Sequence, residues 1–246
     1  LDTIDIREHG RAADGRDLAV DRRLFVQFSA FGNCRDTAPL IAALKGANIT
    51  GALYEDINDP LGIGLVTCAE APEFFVTELR PVLNRAPFSE LTPKPEFTML
   101  GRTYTLGYEP DPEDTLLRRP VARITNPNWP WAIWYPLRRA GSFERLSAEE
   151  QGVILKEHGG VGMAFGRADL AHDIRLACHG LSKDDNDFVI GLVGPQLHPL
   201  SALVQRMRKT RQTSLHLEKL GPFFIGRAIW QSESASPAHH TTEATK

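Results

Sequence analysis

One order of apolar runs occurs twice along these 246 residues, and it limits the fold more than any other feature. Arg23–Ala30 reads as a strand and Thr37–Ala47 as a short helix with Asp36 as N-cap. Ile49–Ile57 and Gly62–Cys68 read as strands around an Asn58-Asp59-Pro60 turn. Ala71–Asn84 reads as a helix weakened by Pro81, and Phe97–Gly107 as a strand. The order is β-α-β-β-α-β, the ferredoxin-like unit. The pattern then returns. Trp131–Arg138 reads as a strand, and Ser147 with Glu150 three residues on has capping-box spacing for a helix. That helix is expected to stop at Gly159-Gly160, which places His158 at its end. Ala168–Leu176 reads as a further helical turn or two, Arg175–Leu181 and Asp187–Val193 as strands, Pro199–Thr210 as a helix and Pro222–Trp230 as the closing strand.

The expected fold class is therefore α+β: two ferredoxin-like halves in one chain, antiparallel sheets backed by helices, of the dimeric α+β barrel type. The halves are expected at 22–109 and 131–230, with a polar arm at 1–21 and a Pro- and charge-rich connector at 110–130. Residues 231–246 carry no Leu, Ile, Val or aromatic side chain, so a disordered tail is expected there, with His239-His240 incidental.

Composition excludes several function classes. The 28 Lys+Arg against 31 Asp+Glu give a net charge of -3, which argues against binding nucleic acid through phosphate neutralisation. No apolar run approaches the roughly 20 residues of a spanning helix, so no membrane partner is expected. Cys34, Cys68 and Cys178 are far apart and form no CxxC pair, so no disulfide framework or zinc site is readable. A cytoplasmic location is the default. Export stays open, because the sequence starts at Leu1.

Little of the remaining chemistry is explicit. Gly160-Val-Gly162-Met-Ala-Phe-Gly166 looks like a nucleotide-binding loop, but it follows a helix and not a strand, so a flexible loop is the better reading. Arg206, Arg208, Lys209 and Arg211 read as a solvated helix face. His158 has two readings: a histidine favoured by the negative end of a helix, or a ligand whose glycine neighbours leave room for a flat cofactor.

Four segments weigh toward the second. Tyr135-Pro-Leu-Arg-Arg139, Phe143-Glu-Arg-Leu-Ser-Ala-Glu-Glu-Gln151, Lys156-Glu-His-Gly-Gly-Val-Gly162 and Lys183-Asp-Asp-Asn-Asp-Phe188 resemble, in order, motifs of the chlorite dismutase / coproheme decarboxylase superfamily. Gly221-Pro-Phe-Phe-Ile-Gly226 resembles that family's last strand. The resemblance implies a heme enzyme of two ferredoxin-like halves, with heme b or coproheme as cofactor. It implies His158 as the axial iron ligand and Gln212 as the acceptor behind its other ring nitrogen, where the family has a glutamate. Arg175 would lie over the open iron face, with His172 as the second candidate, on the premise that extra residues lie in the glycine loop. Arg138 and Arg139 would neutralise the propionates. Tyr135 matches the tyrosine that coproheme decarboxylases use as a radical relay. The family's tryptophan pair is replaced by Phe143 and Glu144, a departure from chlorite dismutases.

The implied function is decomposition of chlorite to chloride and O₂. The alternatives are peroxide-driven coproheme decarboxylation and a heme-binding or sensing protein without turnover. The implied substrate is a small oxyanion or peroxide, and the implied assembly is a homopentamer.

Overall fold

In a computed structural model, the structure describes residues 4–233. The strands are β1 Glu8–Arg11, β2 Asp17–Val20, β3 Phe25–Gly32, β4 Gly51–Asp56, β5 Ile63–Ala69, β6 Thr92–Arg102, β7 Trp131–Arg139, β8 His172–Ala177, β9 Phe188–Gly194, β10 Leu217–Leu220 and β11 Phe224–Gln231. The helices are α1 Ala38–Gly46, α2 Arg80–Leu83, α3 Arg119–Ile124, α4 Gly141–Glu144, α5 Ala148–Arg167, α6 Leu197–Met207 and α7 Arg211–Leu215. Wider π-helical turns, Phe75–Leu79 and Asp114–Arg118, lead into α2 and α3.

The duplication is explicit in the sheet. The first half orders its strands β4-β5-β3-β6 and the second β8-β9-β7-β11, the same permutation of first, second, third and fourth strand. All the pairings are antiparallel. The ring closes because β7 pairs β9 on one edge and β11 on the other, while β11 also pairs β4. Its thinnest seam is β6 against β8, a single pair, Arg102↔Ala177. Closure leaves few free strand edges.

Alternation along the strands then divides the apolar residues. Val26, Phe28, Ala52, Tyr54, Val66, Trp134, Ile174, Leu176 and Phe224 fill the barrel. Ile133, Tyr135, Leu137 and Leu192 point outward and are covered by Phe165 of α5 and Leu200 and Leu203 of α6. Strand β7 is thus buried on both faces for most of its length, which explains its unbroken apolar run.

Several expectations need correction. The arm at 1–21 contains the hairpin β1–β2, tied to the barrel by Glu8, which binds Arg102 at 2.7 Å and the Thr105 amide at 2.9 Å. The connector at 110–130 is not bare loop: Leu116, Leu117 and Ile124 belong to the barrel core. Ser147 does build the capping box with Glu150, but the helix does not stop at the glycines. It continues to Arg167, so the supposed glycine loop is helix and His158 lies mid-helix, away from its negative end. The helical reading of Ala168–Leu176 is also wrong, since β8 begins at His172. The tail expected from residue 231 does not begin there, and residues 234–246 lie outside the described residues. Gln231 closes β11 and bonds the Ile124 and Asn126 carbonyls, both at 2.9 Å. His239-His240 lies outside the described residues.

Candidate functional site

The outward face of the second half, where α5 crosses β8 and meets α6 and α7, gathers the chemistry. His158 is part-buried on α5. Its Nδ1 lies 2.9 Å from Thr210 Oγ1, and that hydroxyl donates to the Met207 carbonyl at 2.7 Å. A hydroxyl has one proton. Directed at Met207, it leaves the oxygen able to accept from Nδ1–H, the tautomer in which Nε2 keeps a bare lone pair. Burial first, then the charge of Arg139 and to a smaller degree Arg175, pushes the His158 pKa down to about 4, against the pull of Asp173 and Glu157. The ring is neutral at physiological pH, the state a metal ligand requires.

His158 Nδ1 meets Thr210 and not Gln212, the acceptor that the resemblance implies. Gln212 is buried on α7, and its Oε1 has no hydrogen-bond partner among the described residues. Thr210 starts α7, a position that sequence alone marks only as a potential cap.

Arg175 stands on β8 with Asp173 two residues before it, so both point to the outward face. Arg175 Nε meets Asp173 Oδ2 at 3.1 Å, and Arg123 Nη1 meets Asp173 Oδ1 at 3.2 Å. Burial is the largest influence and lowers the Arg175 pKa, but Asp173, Tyr104, Tyr108 and Glu109 together outweigh it, and the group stays charged. Across the sheet, Arg175 pairs Ile190 of β9, and Ile190 pairs Tyr135 of β7. Arg175 and Tyr135 therefore share one row, with a single strand between them. Tyr135 is buried and stacks on Phe223, ring centres 4.6 Å apart. Burial, reinforced by Asp173, raises its pKa well above the usual value.

His172 is one residue out of phase with Asp173 and faces the other side of β8. Its ring stacks on Trp129 at 3.7 Å and its Nε2 meets Asp169 Oδ1 at 2.8 Å. Residue alternation thus separates the two distal candidates, and only Arg175 shares the outward face.

The same rule divides the arginine pair. Arg139 falls in phase with Tyr135 and lies between two rings, 4.6 Å from the centre of Phe143 and 4.6 Å from that of Phe188. Burial lowers its pKa, and its Nε has no partner among the described residues. Arg138 is out of phase and is already engaged, 2.7 Å from Asp185 and 3.7 Å from Glu218. The two do not form one anion clamp.

Sequence reasoning also missed Tyr104. This residue follows β6, and its ring lies 5.7 Å from that of Phe188. Burial raises its pKa, while Arg175 and Arg139 oppose the shift by their charge. Nothing local in the sequence marks it, because the first half reaches the second only through the closed barrel.

The two glycines after His158 face open space, while a Cβ on Gly162, one turn on from His158, would lie 3.3 Å from Met207. A Cβ added to Gly159 or Gly160 would meet nothing within 4 Å. Among the described residues no group of three or more His, Cys, Asp or Glu could hold an ion. A metal bound at His158 must bring its other ligands with it. A part-buried imidazole, open space at Gly159 and Gly160 and a part-buried guanidinium whose Nε has no partner among the described residues fit a planar metal complex bearing carboxylates. Among the described residues no helix is long and apolar enough to cross a membrane.

Comparison with known proteins agrees with this architecture. Residues 89–229 match the family model for chlorite dismutase. A heme-binding protein from Thermus thermophilus superposes with a TM-score of 0.67 at 17% identity, over 84% of this chain and 91% of that one. A mutant chlorite dismutase from Candidatus Nitrospira defluvii in complex with cyanide gives 0.66 at 17% identity, over 85% and 92%. A chlorite dismutase from the same organism in complex with imidazole gives 0.63 at 16% identity, over 85% and 92%. No curated protein matches the chain.

Proposed function

Because the chain belongs to the chlorite dismutase family, we propose that it is a heme-dependent oxidoreductase that decomposes chlorite to chloride and O₂. The observation that carries this reading is the part-buried His158, its Nδ1 2.9 Å from the Thr210 hydroxyl, on the face that also presents Arg175. Heme supplies an iron centre able to accept and release an oxygen atom.

The chain's own residues divide the remaining work. His158 would hold the iron through Nε2. Arg139, with its unsatisfied buried donor, would face a propionate, for which a forked guanidinium is suited. Arg175 is held at its Nε edge by Asp173, which leaves its Nη groups to hold an anion. That contact would retain chlorite, and the anion released from it, beside the iron. The rings of Phe143 and Phe188, each centred 4.6 Å from the guanidinium carbon, would hold Arg139 in place for the propionate contact. The test is O₂ release on adding chlorite to the heme-loaded protein, with Arg175→Gln as the control.

Coproheme decarboxylation is the second reading. It is favoured by Tyr135 lying in the same row as Arg175, one strand away. Loss of mass from bound coproheme on adding peroxide, abolished in Tyr135→Phe, would support it. A heme-binding protein without turnover is favoured by the uncharged partner of His158. Heme binding that survives with neither reaction would support that reading.

A further inference from the structure

We propose that Thr210 is the positioning residue of His158, selecting Nε2 as the metal-binding nitrogen and keeping the imidazole a weaker donor than a carboxylate partner would. The geometry stands independently of the heme reading, while the consequence for bound iron rests on it.

The Thr210 hydroxyl lies 2.7 Å from the Met207 carbonyl, which can only accept, and a hydroxyl that donates there is left to accept from His158 Nδ1 at 2.9 Å. The residue is buried, and water does not offer an alternative partner. Thr210 occupies the N-cap of α7 with extended backbone angles, φ -74 and ψ 152, where a threonine oxygen ordinarily accepts a helix amide. It makes no such side-chain bond. The hydroxyl turns instead to the end of α6 and to α5, and so ties three helices at the imidazole.

The chemical consequence follows from charge. A carboxylate at Nδ1–H draws the proton and raises the electron density of the ring, and with it the basicity of Nε2. A hydroxyl whose own hydrogen is committed accepts without adding charge. Ligation through His158 then favours the reduced ion relative to a carboxylate-partnered histidine.

The test uses the full chain. The first arm takes heme-free protein with ¹⁵N-labelled histidine at pH 8, with the His158 signals assigned by their loss in His158→Asn. The expected pattern is a protonated Nδ1 and a bare Nε2, kept in Thr210→Ser and shifted toward Nε2–H in Thr210→Val. A protonated Nε2 in the unsubstituted protein, or an unchanged pattern in a folded Thr210→Val, would overturn the proposal. If Thr210→Val does not fold, the unsubstituted and serine patterns still decide it. The second arm measures the iron midpoint potential with heme b bound. Thr210→Ser should match the unsubstituted protein, and Thr210→Asp should lie lower. Equal potentials in all three would overturn the electronic part. Failure of heme to bind would sink the heme reading and leave the first arm to decide the geometry.

Discussion

Arg175 meets Asp173 through Nε at 3.1 Å, two residues along the same face of β8, while the other oxygen of Asp173 holds Arg123 at 3.2 Å. The arginine is thereby fixed at its Nε edge, and among the described residues its Nη groups have no ion-pair partner. Arg175→Gln should leave porphyrin stoichiometry unchanged and lower chlorite turnover. A charge-assisted hydrogen bond contributes about 1.5–3 kcal/mol, which corresponds to roughly 10- to 100-fold in rate. Oxygen-electrode kinetics on the heme-loaded variant check this, and unchanged turnover would remove Arg175 from the reaction.

The heme-free protein should lose stability as pH falls from about 6.5 to about 4. His158 titrates near 4 in the fold and at its ordinary 6.5 unfolded. The unfolded chain therefore binds the extra proton across that window, and folding is penalised as pH drops. The contribution is fully present above about 6.5 and amounts to about 3 kcal/mol. Urea midpoints across this range, set beside those of His158→Asn, measure it. A slope that persists unchanged in the variant would assign the effect to other groups.

Gly159→Ala should stabilise the heme-free protein by about 0.5–1 kcal/mol, since a glycine inside a helix costs that much relative to alanine. The added methyl meets nothing. Gly159→Leu should fold as well but weaken porphyrin binding, because it fills the space beside His158. Thermal melts and porphyrin titrations separate the two effects, and a Leu variant with full porphyrin affinity would place the cofactor elsewhere.

Gly191→Ala should destabilise the protein by about 1–3 kcal/mol through overpacking. A Cβ there would lie 2.6 Å from ring atoms of Trp134, a fully buried side chain stacked on Phe28. Chemical denaturation reads this directly, and a neutral result would mean that the barrel interior has slack around Trp134.

The halves were legible because their order is carried by local signals: apolar alternation, the Ser147–Glu150 box and the Asn58-Asp59-Pro60 turn. The glycine run misled, since glycine weakens a helix but α5 is held by its cap and by packing of Ile154 and Phe165. That error displaced His158 to a helix end and the start of β8 by several residues. Thr210, Asp173 and Tyr104 escaped notice for a different reason. Their roles come from contacts across 52 residues in the case of Thr210 and His158, or across the seam between halves for Tyr104. Once β8 is assigned, the i and i+2 spacing of Asp173 and Arg175 is readable from sequence. The Thr210 contact is not.

The most direct test of the account is an absorption titration of the purified chain with heme b and with coproheme, beside His158→Ala. A heme protein ligated by His158 gives a Soret band that saturates at one porphyrin per chain and is altered in the variant. No saturable band with either porphyrin, or an identical band in His158→Ala, would contradict it.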